Sequence, residues 1–329
     1  MANKNTNLHS AKSAKNDEFY TQLTDIEKEM MYYKDFFKGK IVLCNCNDMV
    51  HTNFAKYFSL NFEHLGLKKL ICTAYKIDGV HGKVCIYEGD KNGNLVPDIE
   101  EWKQYILNGD GSFDSEECIE LLKECDVVVT NPPFSCWRSF VKTLFDYDKK
   151  FLIIGNMNAI TYKEIFPYFK NNQMWMGVTY FNGGAAYFYG DASLYDENKV
   201  VDPKHYYIKD NFLYWRVNGV RWFTNIDNKK RNTPLDLYKK YTPEEYPQYD
   251  NYNGIEVSKV CDIPMDYDGV MGVPVSFLDK YCPTQFEIIG ITENADYLST
   301  LYVNGCTKYD RPYINGKRMY SRLLIRRCV

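Results

Sequence analysis

The sequence predicts an α/β fold with a mostly parallel central sheet. Short apolar runs alternate with segments of helical periodicity through the first half of the chain. One of these runs, DVVVT at residues 126–130, has the continuous β-branched character of a strand buried on both faces. Strands that alternate with helices are joined by crossover connections, which set the strands parallel and cover both faces of the sheet.

The first elements along the chain support this prediction in order. Residues 17–37 predict a loop and then a helix, with Thr24 as the N-cap and Glu27 completing a capping box three positions later. Residues 40–46 (KIVLCNC) predict the first strand. Residues 51–66 predict the second helix, because four apolar side chains recur there at helical spacing.

The next segment predicts a second strand with a hairpin inserted after it. Residues 68–75 (KKLICTAY) have the apolar character of a strand. The hairpin covers residues 82–96 and turns at Asn92-Gly93. A helix capped by Asp114 then leads to the valine-rich strand, and another helix and strand follow it.

The second half of the chain is predicted to hold a hairpin and then a boundary. Residues 212–226 (FLYWRVNGVRWFTNI) place two β-rich runs around Asn218-Gly219, which is a strong hairpin signal. A polar stretch, DNKKRNTP, follows at residues 227–234. We therefore predict three regions: a basic arm at residues 1–16, the α/β domain at 17–227 and a C-terminal region at 228–329.

The composition is that of a globular protein kept in a reducing compartment. The chain has 329 residues, 45% of them hydrophobic, and eleven cysteines without a C-x-x-C pair. This pattern predicts free thiols, and no grouping of histidine and cysteine has the spacing of a metal site. The N-terminal sequence lacks the apolar core of a signal peptide, so we expect the protein in the cytoplasm.

Positive charge is concentrated in three places although the net charge is −3. Local positive fields can bind phosphates even on a protein of balanced charge. Residues 301–329 alone contain seven basic residues and one acid. A solvated surface is the alternative interpretation of any one cluster. The candidate nucleic-acid-binding residues are Lys12, Lys15, Lys229, Lys230, Arg231, Arg322, Arg326 and Arg327.

The valine-rich strand ends in Asn131, Pro132, Pro133 and Phe134, a combination suited to holding an amino group. Ligands of parallel sheets bind beyond the carboxyl ends of the strands. The prolines stiffen the backbone, so the Asn131 amide oxygen and a neighbouring carbonyl can offer two acceptors at a fixed spacing. A planar –NH₂ group has two matching donors, and Phe134 adds a ring against which a flat base can stack.

NPPF is also the catalytic tetrapeptide of class I, S-adenosylmethionine-dependent amino methyltransferases. Together with DEFYT, CNCND, RWFTN and RLLIRR, it resembles the EcoRI-type DNA adenine-N6 modification methyltransferase family over nearly the whole chain. The resemblance implies a Rossmann-like class I methyltransferase fold and S-adenosylmethionine as cofactor. It further implies that residues 17–227 are the catalytic domain and that residues 228–329 recognise the DNA target.

The resemblance also implies positions that bind the cofactor. A Gly-rich turn is usual after the first strand, but CNCND stands there instead. The second strand ends in Thr73, Ala74 and Tyr75 without an acid, so no ribose ligand is predicted. The implied cofactor-binding residues are Phe19, Tyr20 and Thr21 for the methionine end, Asn45, Cys46, Asn47 and Asp48 for its amino group, and Asp110 and Phe113 for the adenine.

Double-stranded DNA as substrate requires the target adenine to leave the helix. Phe134 is expected to stack on one face of the extruded base, and the family places an aromatic near RWFTN for the other. Trp222 and Phe223 alternate in direction, so only one of them can face the base, and the sequence does not say which. A restriction endonuclease is a possible partner.

Two other functions remain open from the sequence. NPPF also serves amino methylation of RNA or of a glutamine in a protein. A methyltransferase fold that has lost activity could instead be a DNA-binding module, although the intact tetrapeptide argues against this.

Overall fold

The computed structural model describes residues 20–45, 52–77, 79–181, 185–191, 206–209, 212–292, 301–305, 307 and 310–328. The chain divides into two compact units. The first unit takes in residues up to Met157 together with 177–226, and the second takes in 158–176 together with 227–329. The second unit thus begins near the predicted boundary but also includes residues 158–176, which the prediction places in the α/β domain.

The helices and strands are numbered in chain order. The described helices are α1 (Leu23–Met30), α2 (Asn53–Leu60), α3 (Phe62–Leu65), α4 (Glu116–Glu124), α5 (Trp137–Asp146) and α6 (Phe166–Lys170). The described strands are β1 (Tyr20–Thr21), β2 (Ile41–Cys44), β3 (Lys69–Ala74), β4 (Lys83–Tyr87), β5 (Lys103–Ile106), β6 (Val127–Thr130), β7 (Lys150–Asn156), β8 (Trp175–Met176), β9 (Ala185–Asp191), β10 (Tyr206–Lys209), β11 (Phe212–Asn218), β12 (Val220–Thr224), β13 (Ile255–Glu256), β14 (Met271–Val273), β15 (Phe286–Ile291), β16 (Tyr313–Ile314), β17 (Lys317–Arg318) and β18 (Leu323–Arg327).

A mostly parallel sheet forms the centre of the first unit, which confirms the predicted fold class. Its strands lie in the order β5-β4-β3-β2-β6-β7-β12. The four central strands, β3, β2, β6 and β7, are parallel to one another. On one side β4 is antiparallel to β3 and β5 is antiparallel to β4, and on the other side β12 is antiparallel to β7.

Strand β6, the valine-rich run, lies between β2 and β7, and each of its four residues is buried. Asp126 fixes where this strand starts. Its Oδ2 accepts a hydrogen bond from the Ile41 backbone N–H (2.8 Å), and its own N–H donates to the Ile41 carbonyl (3.0 Å). Asp126 therefore pins the beginnings of β2 and β6 together, and the two strands end at the same edge of the sheet.

Both faces of this sheet are covered by helices. Trp222 and Phe223 are successive residues of β12 and so point to opposite faces. The Trp222 ring meets Phe54 of α2 edge-on, with ring centroids 6.1 Å apart. The Phe223 ring meets Trp137 of α5 in the same way at 4.9 Å. This arrangement is the one that crossover connections produce.

The predicted hairpin around Asn218-Gly219 is wrong. Gly219 does turn the chain, with φ +72° in the left-handed region that favours glycine. However, β11 pairs with β9 and β10, whereas β12 pairs with β7. Strand β11 belongs to a four-stranded sheet of order β1-β9-β11-β10. At Gly219 the chain leaves that sheet and enters the central sheet as β12.

Two predicted helix caps are also wrong by one or two residues. Helix α1 begins at Leu23 after Gln22, so Thr24 lies inside the helix and caps nothing. Helix α4 is capped by Ser115 instead of Asp114, because the Ser115 hydroxyl accepts a hydrogen bond from the Cys118 N–H (3.3 Å). In both cases a neighbouring residue takes the N-cap position, as is common where several polar residues precede a helix.

Strands β4 and β5 do form an antiparallel pair, but a long connection replaces the predicted turn at Asn92-Gly93. The buried carboxylate of Glu101 organises this connection, since it accepts hydrogen bonds from the backbone N–H groups of Lys91 (2.6 Å) and Asp98 (3.1 Å). These bonds close the loop on itself, so its shape depends on Glu101 and not on a two-residue turn.

A second buried carboxylate, Glu29 of α1, binds the segment that follows Met176. It accepts hydrogen bonds from the Val178 N–H (2.7 Å), the Thr179 N–H (2.7 Å) and the Thr179 hydroxyl (2.5 Å). Burial raises the pKa of Glu29 above its usual value, although these donors oppose the shift.

The second unit contains a four-stranded sheet of order β13-β14-β18-β15. Strand β18 lies inside it, antiparallel to both β14 and β15. The basic sequence RLLIRR at residues 322–327 is therefore a sheet strand with its flanking residue, not a free tail. Strands β16 and β17 form a separate two-stranded hairpin. No helix within the described ranges is both long and apolar enough to cross a membrane.

Candidate active site

The carboxyl ends of β2 and β6 are joined directly below the NPPF segment. The hydroxyl of Thr130, the last residue of β6, is fully buried and donates a hydrogen bond to the Asn45 carbonyl (2.5 Å). Asn45 follows the last residue of β2. Two predicted groups of site residues, Asn45 for the cofactor and Asn131 for the reaction, thus lie at one edge of the sheet.

The NPPF segment forms the loop from β6 to α5. The Oδ1 atom of Asn131 is shielded from solvent, and Pro132 is buried. The Pro133 carbonyl accepts hydrogen bonds from the Cys136 N–H (3.2 Å) and from the Cys136 thiol (3.3 Å). Phe134 is half-buried and packs against the apolar core. The Pro133 carbonyl is therefore engaged in the turn that starts α5.

Trp137 fixes the far end of this loop, a role that the sequence prediction missed. Its indole N–H donates to the Ile154 carbonyl of β7 (2.8 Å). The ring lies so close to Gly155 that a Cβ there would come within 2.6 Å of it. The loop is therefore held at Thr130 on one side and at Trp137 on the other. The sequence signal for this role was a tryptophan three residues after NPPF together with a glycine in the following strand.

Thr21 of β1 is joined to the start of α2. Its carbonyl accepts a hydrogen bond from the Asn53 side-chain amide (2.7 Å), and the Thr52 hydroxyl caps the helix by accepting from the Ala55 N–H (3.4 Å). The Thr21 hydroxyl is itself buried and has no hydrogen-bond partner within the described part of the chain. Asn53 was not predicted, although a polar pair before an apolar helix is a recognisable start signal.

The Asp110 loop lies against the carboxyl end of β3. The Asp110 carbonyl accepts from the Lys76 N–H (3.0 Å), and the Asp110 carboxylate lies 3.8 Å from the Lys76 ammonium. Gly111 has φ +78°, and a Cβ there would come within 2.6 Å of the Ala74 carbonyl oxygen. Only glycine allows this close approach, which places Asp110 at the same edge of the sheet as Asn45 and Asn131.

Phe113 is less accessible than its predicted role requires. Its side chain is 8% exposed and meets Phe140 of α5 edge-on, with ring centroids 5.1 Å apart. The ring therefore packs between the Asp110 loop and the helix that follows NPPF. Stacking of Phe113 on an adenine stays a prediction.

Several predicted cofactor residues lie outside the described residues. These are Phe19, Cys46, Asn47 and Asp48. Tyr20 is described for its backbone, which pairs with Tyr189 in β9.

The structure contradicts the predicted stacking role of Trp222 and Phe223. Trp222 is 1% exposed and stacks on Phe181 with ring centroids 5.7 Å apart, and Phe223 is completely buried. Because β12 lies inside a sheet covered on both faces, neither ring reaches a surface where a base could bind. Both residues belong to the core.

The predicted DNA contact of Arg322 is also wrong. Its guanidinium is buried and forms hydrogen bonds to both carboxylate oxygens of Glu256, the shortest being 2.6 Å from Nη2 to Oε1. The Tyr249 hydroxyl donates to the same carboxylate (2.5 Å). A charge that is buried and paired in this way is unavailable to a phosphate.

The remaining predicted DNA-binding residues differ in availability. The Arg231 guanidinium lies 3.6 Å from the centre of the Trp175 ring and 3.3 Å from the Asp227 carboxylate, so it has a structural role. Arg327 donates to the Met265 carbonyl and lies 3.7 Å from Asp268. Lys229 and Arg326 are exposed, and Lys230 is half-buried. Lys12 and Lys15 lie outside the described residues.

Comparison with known proteins identifies the family. Residues 7–328 match the family described as "Adenine-specific methyltransferase EcoRI". The chain is 43% identical to the Type II methyltransferase M.EcoRI of Escherichia coli, over 97% of this chain and 99% of the relative. It is 40% identical to the Type II methyltransferase M.MpnI of Mycoplasma pneumoniae, over 97% of each chain.

A third relative, the Type II methyltransferase M.MgeORF184P of Mycoplasma genitalium, is 37% identical over 97% of this chain and 98% of its own. No solved structure matches the chain. The family match covers both units and includes the NPPF segment at the carboxyl end of β6. The chain belongs to the EcoRI family of adenine-specific methyltransferases.

Proposed function

We propose that this site-specific DNA adenine methyltransferase holds the N6 amino group of its target adenine between the Asn131 side-chain oxygen and the Pro132 carbonyl. The observation that carries the proposal is the position of NPPF, which lies at the carboxyl end of a central parallel strand and beside Asn45. Ligands of such sheets bind at this edge. The engagement of the Pro133 carbonyl by Cys136 supports the choice of Pro132 as the second acceptor.

Two acceptors explain how a weakly nucleophilic amino group can react. Each acceptor receives a hydrogen bond from one N–H of the exocyclic amine, and this raises the electron density on the nitrogen. S-adenosylmethionine supplies a methyl group on a positively charged sulfonium, so the displacement needs no strong base. The contribution of the protein is mainly to position the amino group, and a rigid loop is suited to that task because misplacement is costly. Thr130 and Trp137 supply the rigidity.

Three described residues, Thr21, Asn45 and Asp110, fit the cofactor that the chemistry requires. A buried hydroxyl without a hydrogen bond costs about 1–3 kcal/mol, so the Thr21 hydroxyl favours a bound polar ligand. We propose that Thr21 and Asn45 hold the methionine end of S-adenosylmethionine and that Asp110 binds the amino group of its adenine. Asn45 and Asp110 lie at the carboxyl ends of β2 and β3, and Thr21 is hydrogen-bonded to Asn53 at the start of the helix that follows β2, which supports this assignment.

The target adenine must first leave the duplex, which costs a few kcal/mol. Stacking on Phe134 is expected to return about 1–3 kcal/mol, and each of the two hydrogen bonds about 1 kcal/mol. Because Trp222 and Phe223 are buried, no second ring from that strand adds to this sum. The balance is close to zero, and contacts with the surrounding DNA are required to favour extrusion.

We assign recognition of the DNA target to the second unit and the modification reaction to the first. We further propose that the protein is the modification enzyme of a restriction-modification system, since the relatives are named Type II methyltransferases. DNA from cells that express the protein should then resist a cognate endonuclease at the methylated sequence, and unmodified DNA should be cut.

A parallel assay on three substrates tests the proposed function. Purified protein and radiolabelled S-adenosylmethionine are incubated with duplex DNA, with RNA and with a cell protein extract. We expect label in duplex DNA alone, recovered as N6-methyladenine at one sequence when the DNA is sequenced. Label confined to RNA or to protein would contradict the proposal, and Asn131→Ala measured beside the wild type controls for a contaminating methyltransferase.

A further inference from the structure

A small hairpin in the second unit presents basic side chains on a rigid frame. Strands β16 and β17 are joined by the two-residue turn Asn315-Gly316, in which both residues have positive φ, +50° and +72°. Turns of this type match the right-handed twist of the strands that they join. Residues 311–320 (RPYINGKRMY) contain three basic residues and no acid, and residues 315–318 are exposed.

Asp250 holds the turn of this hairpin in place. Its carboxylate accepts hydrogen bonds from the Asn315 N–H (3.1 Å) and the Gly316 N–H (2.7 Å), and its own N–H donates to the Tyr313 carbonyl (2.7 Å). Asp250 therefore fixes the backbone of the turn.

Asn251 holds the first strand of the hairpin. Its side-chain oxygen accepts from the Tyr313 N–H (2.9 Å), and its amide donates to the Arg311 carbonyl (2.8 Å). Together with Asp250 it makes the hairpin a preorganised element, which reduces the entropy lost when a ligand binds.

The register of the hairpin decides which side chains face outward. Residues directly opposite each other in an antiparallel pair lie on the same face. Tyr313 is opposite Arg318, and Ile314 is opposite Lys317. Ile314 packs against an apolar cluster that includes Tyr252 and Leu324, so its face is turned toward the protein. Arg318 consequently lies on the face turned away from that cluster. Lys317 shares the face of Ile314, but it lies beside the turn and is exposed to solvent.

The hairpin differs from the other basic segment of this unit, strand β18. Arg322 is buried in its pair with Glu256, and Arg326 lies opposite Glu287 on the neighbouring strand. In the hairpin, by contrast, Lys317 and Arg318 are exposed, and the side chain of Tyr320, which follows it, is 76% exposed.

We propose that the hairpin of residues 311–320 enters the major groove of duplex DNA, where Arg318 binds a base edge and Lys317 binds a backbone phosphate. This inference rests on the proposed function and adds the surface that recognises the substrate. The major groove is wide enough for a two-stranded β-ribbon, and an arginine that binds guanine is the commonest specific contact there. The compact ammonium of Lys317 suits a phosphate.

Binding of two duplexes tests the assignment. One duplex carries the sequence that DNA sequencing shows to be methylated, and the other carries the same bases in scrambled order. Arg318→Gln is expected to weaken binding of the first duplex roughly 10- to 100-fold and of the second much less, so the ratio of the two affinities falls. Lys317→Gln is expected to weaken both equally and to lower the salt slope by about one unit.

A matched control separates the hairpin from general loss of charge. The double variant Lys103→Gln/Lys123→Gln removes two positive charges from exposed positions on β5 and α4 of the first unit, and its affinity for both duplexes should stay close to that of the wild type. A second variant, Asp250→Ala, keeps Lys317 and Arg318 but removes the acceptor that holds the turn. It should lower the affinity ratio while leaving the salt slope unchanged.

The outcomes distinguish this inference from the proposed function. If Arg318→Gln leaves the affinity ratio unchanged while the wild type methylates duplex DNA, the hairpin assignment is wrong and the proposed function stands. Equal weakening of both duplexes by Arg318→Gln would also overturn base recognition by this residue. If the wild-type protein binds neither duplex, both proposals fail.

Discussion

The carboxyl end of β6 and the interior of β12 both carry aromatic residues next to polar ones, yet the fold uses them differently. Phe134 lies beyond the end of its strand, where the ring is half-buried. Trp222 and Phe223 lie within their strand and are enclosed between helices on the two faces of the sheet. The difference shows that a ring beyond a strand end stays partly accessible to solvent, whereas a ring inside a covered sheet does not.

The largest effect is expected at the strand end. Asn131→Ala removes one of the two acceptors proposed for the amino group, so methyl transfer should fall by orders of magnitude while cofactor affinity stays within a few-fold. Single-turnover methylation and calorimetric titration of S-adenosylmethionine measure the two quantities. Near-normal methylation by this variant would show that the end of β6, like the interior of β12, does not take part in the reaction.

A substitution in the interior of β12 should lower the stability of the protein and leave the rate of methyl transfer unchanged. Trp222→Ala leaves a cavity between Phe54 and Phe181, and it is expected to lower the free energy of unfolding by about 3–5 kcal/mol. Urea unfolding measures this loss. The fraction that remains folded should methylate DNA at close to the normal rate, and a stable but inactive Trp222→Ala protein would restore a direct role for this ring.

Phe134→Ala is expected to affect the reaction, as Asn131→Ala does, but to a smaller extent. Loss of stacking should weaken duplex methylation by about 1–3 kcal/mol, or roughly ten- to a hundred-fold, with less effect on DNA binding. A mismatch opposite the target adenine lowers the cost of extrusion and should partly rescue the variant. Methylation of matched and mismatched duplexes, with 2-aminopurine fluorescence as the report of extrusion, makes the measurement. Equal loss on both duplexes with normal extrusion would make Phe134 a packing residue.

The smallest effect concerns Glu29, which lies beside Trp222 in the interior, since a Cβ on Gly177 would meet both side chains. Burial raises the pKa of Glu29. The folded state therefore keeps the proton to higher pH than the unfolded chain does. The stability contributed by this group is present below the ordinary pKa of glutamate and is lost as the pH rises through the raised pKa.

Glu29→Gln should abolish that pH dependence. Free energies of unfolding are compared for the variant and the wild type from about pH 4.3, the ordinary pKa of glutamate, upward. The wild type should lose stability relative to the variant as the pH rises. A difference that is constant across this range would show that Glu29 has the same pKa in both states.

The sequence predicted the features that depend on local pattern. The valine run gave a central buried strand, and the alternation of strands with helices gave a mostly parallel sheet. The hairpin at Asn218-Gly219 could not be excluded from the sequence, because the choice of partner for β11 and β12 depends on β9 and β7, which are distant along the chain.

Charge illustrates the same limit in the second unit. The basic residues from Arg322 to Arg327 look equivalent in the sequence, but Glu256 binds Arg322 from 66 residues away. By contrast, the Asn315-Gly316 turn is a local signal. Its significance depends on Asp250, whose interaction with the turn the sequence does not reveal.

The most direct test of the central claim is the order of single-turnover methylation rates among three forms of the protein. Asn131→Asp keeps a side-chain oxygen that can accept from the amino group, whereas Asn131→Ala does not. With cofactor and DNA saturating, we expect the rates to fall from wild type to Asn131→Asp to Asn131→Ala. Equal rates for the two variants would contradict a role for Asn131 as a hydrogen-bond acceptor, and an alanine variant as fast as the wild type would exclude the residue from the reaction.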